Sequence, residues 1–152
     1  MLVMPDYPAL LQQMLADFSA MTDREERSQY LIELADQFQP VPARIAVPPY
    51  PEDHRVPFCE SEAFVWAEVL PDGTLKYYFA VENPQGLSAM ALAVILDQTL
   101  SGQPAAQVAQ VRDDIVFTIF GRSIAMGKGQ GLMGMVAMVR SLAKRHLDGQ
   151  GV

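Results

Sequence analysis

The sequence predicts an α+β fold: a small antiparallel sheet, made of a hairpin plus a strand leading out of a cysteine loop, packed against helices. Three observations carry that expectation. Two segments near the N-terminus repeat apolar residues at helical spacing. A middle stretch rich in β-branched and aromatic residues is split by the turn sequence "PDGT". The apolar pattern then returns to helical spacing through the last third. Helices, hairpin, helices in that order point to segregated elements rather than alternating βα units. A length of 152 residues fits one domain over 1–152, its core spanning about 5–147.

In residues 7 to 19, Leu10, Leu11, Met14, Leu15 and Phe18 follow the helical repeat. "TDRE" at Thr22 to Glu25 has the form of a capping box, in which a Thr hydroxyl and a Glu carboxylate each satisfy an orphan N–H. Tyr30, Leu31, Leu34, Ala35 and Phe38 continue as an apolar stripe that ends at Pro40. These two helices are expected to form an antiparallel pair. Between Gln39 and Cys59 stand six prolines, which remove backbone donors and fix φ. This stretch therefore reads as an extended surface loop delivering Cys59 to the start of a strand. Residues 63 to 81 read as a hairpin with apolar residues on both faces, which suggests a sheet covered on one face by helices and partly covered on the other. Leu87 to Leu100 reads as a buried helix stopped by Ser101-Gly102, and Pro104 to Val111 as a short helix opened by proline. "DDIVFTIFGRS" fits helix or strand equally. The last helix, residues 130 to 147, sets Leu132, Met135, Val136, Val139 and Ala143 on one face.

Charge and composition narrow the function. With 11 basic and 18 acidic residues the formal net charge is -7, and no Lys/Arg cluster offsets it, so nucleic acid is not the expected partner. No run approaches the roughly 20 apolar residues of a membrane span. The first residues lack a basic n-region and carry Asp6, unlike a secretory signal. One cysteine forms no internal disulfide, which fits a reducing compartment, and cytoplasm is the expected location.

Three features invite chemistry. Cys59 is the only cysteine. Lone cysteines are most often small buried hydrophobes, yet this one lies at a proline-marked junction between loop and strand. Arg55 and a protonated His54 favour its thiolate, whereas Glu60 and Glu62 oppose it. The second feature is "GRSIAMGKGQG", residues 121 to 131. It departs from a phosphate-binding loop in glycine spacing and in lacking Ser or Thr after Lys128. A turn whose glycines allow φ > 0 and close approach to another segment is the expected role. Third, nine methionines include Met126, Met133, Met135 and Met138, which suit adaptable packing better than soft-metal binding. One Cys and two His leave a zinc site short of ligands.

Taken together, "REERSQYLIELADQF", "VPFCES" and "GKGQGLMGMV" resemble, in order, the second helix, cysteine loop and final helix of the SufE family. These are small sulfur acceptors of iron–sulfur cluster assembly, with a fold shared by IscU-related scaffolds. The resemblance implies that Cys59 accepts persulfide sulfur from a SufS-like, pyridoxal-phosphate cysteine desulfurase, raises that enzyme's turnover and passes sulfur to a SufBCD-like scaffold. It implies an acceptor without a cofactor or metal of its own, rather than a self-sufficient enzyme. Ser61 lies two residues beyond the thiol, Gly131 matches the family's glycine, and Lys128 stands where the family usually has arginine. Arg55 and Lys128 are the expected cations near the thiolate. Phe58 stands where the family usually has glycine. It favours an alternative in which the protein binds and regulates a desulfurase without carrying sulfur. A peroxide or redox sensor is opposed by Glu60 and Glu62.

Overall fold

A computed structural model describes residues 6–124 and 126–152. Residues 1–5, part of the stretch compared above with a secretory signal, and Ala125 in the glycine-rich segment lie outside them. The chain runs α1 (Ala9–Ala20), α2 (Arg24–Ala35), β1 (Ala63–Val69), β2 (Leu75–Val81), α3 (Leu87–Leu100), α4 (Ala105–Val108), α5 (Ile115–Phe120) and α6 (Met126–Leu147). This is the α+β arrangement expected.

The sheet has two strands rather than three. Strands β1 and β2 pair antiparallel from Ala63↔Val81 to Val69↔Leu75. The expected cysteine-loop strand is reduced to one bridge, Arg55↔Phe64. Pro51 and Pro57 bracket that segment, and a single 3-10 turn at Glu52–His54 occupies most of the interval, so no longer ladder forms.

Period-two alternation divides the hairpin between two clusters. Ala63, Val65, Leu75, Tyr77 and Phe79 enter the main core, while Phe64, Trp66 and Ala80 form a smaller one with Val41. The proline-rich loop covers this second face: Tyr50 packs against Phe64 and Trp66, and His54 stacks on Trp66 at 5.2 Å. The loop also covers one edge of the hairpin, through Val56 N–H to Ala63 O at 2.9 Å and the contact of His54 Nδ1 with Val65 O. The other edge is met by Val41 N–H, which donates to Phe79 O, by Gly102 N–H, which donates to Leu75 O, and by Ser101 Oγ, which accepts from Tyr77 N–H.

Helix α3 is the centre of the main core. Ala91, Leu92, Ile95, Leu96 and Leu100 are fully buried, and each larger aliphatic side chain contributes about 1.5–3 kcal/mol through that burial. Helices α1, α2 and α6 and strand β2 all pack on it. Between α1 and α2, Phe18 packs on Tyr30 at 5.2 Å. Arg27 ties the α1 end to α5: its guanidinium donates to Phe18 O, Met21 O, Thr118 O and Ile119 O at 2.7–3.0 Å.

Two local expectations change and one open reading is settled. Asp23, not Thr22, caps α2, its carboxylate accepting from Glu25 N–H at 3.0 Å. A carboxylate at a helix N-terminus gains both the hydrogen bond and the helix dipole. Leu10 is exposed, while Leu11, Leu15 and Phe18 face the core. The run that fitted helix or strand is α5, with Ile115, Val116 and Ile119 buried at i, i+1 and i+4. The five α6 residues expected on one face are all buried.

Candidate functional site

Residues 57–62 form a closed loop between the end of the proline-rich segment and the start of β1. The Val56–Ala63 hydrogen bond closes its base, and Glu62 N–H donates to Cys59 O at 3.1 Å across its middle. Its far side hangs from the residues after β2: Asn83 N–H donates to Ser61 O, and Glu82 N–H to Glu62 O. Two residues without a glycine's freedom take left-handed backbone here, Phe58 at φ 58° and Glu62 at φ 54°. Each such residue costs about 1–2 kcal/mol. That conformation is one a glycine takes easily.

The loop lies on α6. Gly127, Gly131 and Gly134 recur at i, i+4 and i+7 and so share the face turned toward it. A β-carbon at Gly131 would stand 3.0 Å from Cys59 Cα and 3.3 Å from Phe58 O. One at Gly134 would meet Val56 Cγ1 at 2.9 Å. Close approach was the expected role of the glycine-rich segment. The expected turn is confined to the start of the segment, where Gly121 has a positive φ of 93° before a turn at Arg122 and Ser123; from Met126 the glycines are helical. The helix thus begins four residues before the expected start, because glycine composition suggests a turn while packing against the loop imposes a helix. On the other flank, Gly86 caps α3, where a β-carbon would stand 2.9 Å from Ser61 Cβ.

Cys59 is 8% exposed and borders a cavity of about 50 Å³. Glu60, Ser61, Gln85, Ser88, Lys128 and Gly131 are among the other residues lining it. A water-sized atom needs roughly 10–15 Å³ of such space, so the cavity admits one added sulfur atom or a few waters. The first residues of α3 and α6 form part of its wall, and the positive ends of two long helices favour an anion there. Lys128 adds a positive charge at the wall and Glu60 a negative one.

Of the residues singled out in the sequence, Cys59, Ser61, Lys128 and Gly131 therefore meet around one cavity. Arg55 does not line it. Its backbone bridges Phe64 and its guanidinium lies 3.9 Å from Glu52. Beside it His54 faces Trp66. Gln85, Gly86 and Ser88 were missed, since "NPQG" signalled only a turn before a helix. Phe58 is 83% exposed and turns away from the core. It lines a separate apolar groove of about 350 Å³ with Pro57, Met133, Ala137 and Met138. A cleft of about 360 Å³ at Gln37, Lys76 and Asp97 shares no residue with the thiol cavity.

No helix among the described residues is long and apolar enough to cross a membrane. Among them, no group of three or more His, Cys, Asp or Glu side chains is placed to hold a metal ion.

A solved solution structure, described as that of a hypothetical protein from Thermus thermophilus, is similar to this chain with a TM-score of 0.71 and 26% identity. The match covers 93% of this chain and 98% of that one. Residues 12–143 match the family model SufE, described as an Fe-S metabolism associated domain. That span includes the cysteine loop, the hairpin, the α3 start and the glycine face of α6, and on it the chain belongs to the SufE family.

Proposed function

We propose that the protein is a sulfur-transfer component of iron–sulfur cluster assembly, with Cys59 as the persulfide acceptor. The observation that carries this reading is the placement of the only cysteine at a cavity large enough for one added sulfur and walled by two helix N-termini.

In the transfer, the Cys59 thiol first gives up its proton. Its thiolate attacks the outer sulfur of a persulfide on the donor's cysteine. A bond forms between Cys59 Sγ and that outer sulfur while the donor's own S–S bond breaks. The donor cysteine leaves as a thiolate and takes up a proton, so no external oxidant or reductant is needed. The donor in this reading is a cysteine desulfurase, whose pyridoxal phosphate releases sulfur from free cysteine. The acceptor downstream is a cluster scaffold. The cavity would shelter the sulfane sulfur from water and from other thiols between the two encounters. Ser61 and Lys128 supply a hydroxyl and a cation on its wall, and Gly131 lets the loop sit against α6.

Burial of Cys59 to 8% favours a second reading, in which the protein binds and regulates the desulfurase without carrying sulfur. Intact-mass spectrometry after incubation with the host's desulfurase and free cysteine separates the two. Sulfur transfer adds one sulfur atom to the native protein and none to Cys59→Ser, with faster sulfide release only for the former. Equal stimulation by both proteins with no adduct would sink the transfer reading.

A further inference from the structure

The cysteine loop has two sides. Cys59 borders the cavity between α3 and α6, while the residue before it lines a different groove. Phe58 is 83% exposed, an unusual placement for a phenyl ring. Its backbone is held in the left-handed region, so the outward direction of the ring is maintained against a local conformational preference. The ring continues into the apolar groove bordered by Met133, Ala137 and Met138, giving one apolar face beside the reactive atom.

Asp113, 4.0 Å from Arg140, borders that groove, and exposed carboxylates lie in and beside the cysteine loop. Glu60 and Glu62 lie in the loop itself, and Glu82 is hydrogen-bonded to it through the backbone. Lys128 is the cation on the cavity wall. An exposed aromatic side chain on a loop that also carries exposed carboxylates is complementary to an apolar pocket with a basic rim. Any macromolecule that delivers sulfur to Cys59 must engage residues 57–62, and Phe58 is the neighbour of the thiol along the chain.

We infer that Phe58 is the docking anchor for the sulfur donor, entering an apolar pocket on the donor whose basic rim faces Glu60, Glu62 and Glu82. This rests on the transfer reading for the identity of the donor. Recognition is thereby separated from chemistry by one residue: Phe58 binds and Cys59 reacts.

The test is calorimetric titration of the host's cysteine desulfurase with the full chain in the absence of free cysteine, so that no sulfur moves. Wild type is compared with Phe58→Gly, Phe58→Asn and Phe58→Trp. Glycine and asparagine both tolerate the left-handed backbone. The melting temperature of each variant reports whether the fold is intact. The expected result is that Gly and Asn weaken binding about tenfold or more while Trp retains it, with Phe58→Gly melting no lower than wild type. Replacing Glu60, Glu62 and Glu82 together by Gln is expected to flatten the salt dependence of binding. Binding of folded Phe58→Gly within about twofold of wild type overturns the anchor and leaves the transfer reading standing. A wild-type protein that does not bind the desulfurase overturns both.

Discussion

Gly131 and Cys59 pack so closely that a single methyl group separates the observed arrangement from a clash: a β-carbon on Gly131 would lie 3.0 Å from Cys59 Cα and 3.3 Å from its Cβ. Gly129, two residues earlier on the same helix, has room, with Ile124 Cγ2 at 3.6 Å. Alanine gains roughly 0.8–1 kcal/mol over glycine in a helix interior. Gly129→Ala is therefore expected to stabilise the protein by about that amount. Gly131→Ala is expected to lose the gain to overpacking, about 1–3 kcal/mol, and to displace the cysteine loop. Urea denaturation reads the first effect. The rate of Cys59 alkylation by iodoacetamide reads the second, and should rise for Gly131→Ala only.

Arg27 holds four backbone carbonyls from α1, the turn after it and α5. Phe18 O also accepts from Met21 N–H, whereas Met21 O, Thr118 O and Ile119 O, at or just beyond helix C-termini, are met by Arg27. Hydrogen bonds to a charged donor contribute about 1.5–3 kcal/mol each, though not additively. Arg27→Lys keeps the charge but cannot span the set. It is expected to cost at least about 2 kcal/mol in chemical denaturation, and faster amide exchange near 118–121 should accompany it.

The hydroxyl of Tyr77 is buried without a hydrogen-bond partner among the described residues. Removing an unsatisfied buried hydroxyl relieves a desolvation cost, so Tyr77→Phe is expected to stabilise the fold by about 1 kcal/mol. Burial also pushes the phenol above its ordinary value near 10. Because the folded state resists ionisation, this stabilisation is complete below that pH and is lost as pH rises toward the folded value. Tyr77→Phe should therefore resist alkaline unfolding above about pH 10 better than wild type, a difference visible in circular dichroism.

Acid acts through the opposite sign. Arg44 and Tyr78 hydrogen-bond the Glu68 carboxylate, and Thr74 that of Asp72, holding both below their ordinary values of 4.5 and 3.8. Each contributes stability that is present above its ordinary value and lost as pH falls through the lower folded one. In Glu68→Gln and Asp72→Asn the slope of stability against pH below about 4.5 should be shallower than in wild type. An unchanged slope in both would contradict the assignment.

The readable parts of this molecule are those with local causes. The "PDGT" turn and the β-rich runs on either side place the hairpin, and Leu87 to Leu100 is legible at both ends because an apolar run meets Ser101-Gly102. Cys59 stands out by being single. What stays hidden depends on long-range packing. Arg55 reads as a neighbour of the thiol because it is near in sequence, but its backbone bridges Phe64 and it does not line the cavity. Gln85 and Ser88 reach the cavity from a segment beyond the hairpin, distant from Cys59 along the chain. The glycines of α6 resemble a turn because their helix is imposed by the loop lying on them, a contact that residue-by-residue propensity does not contain.

The covered edges of the hairpin bear on how such a protein survives at high concentration. A two-stranded sheet is nearly all edge, and bare edges recruit strands from other molecules into fibrils. Here Val41, Ser101 and Gly102 meet backbone groups along one side, and the segment around His54 and Val56 meets the other. Self-assembly through strand addition would first require that cover to peel away. The stretch with six prolines thus also acts as a guard against aggregation.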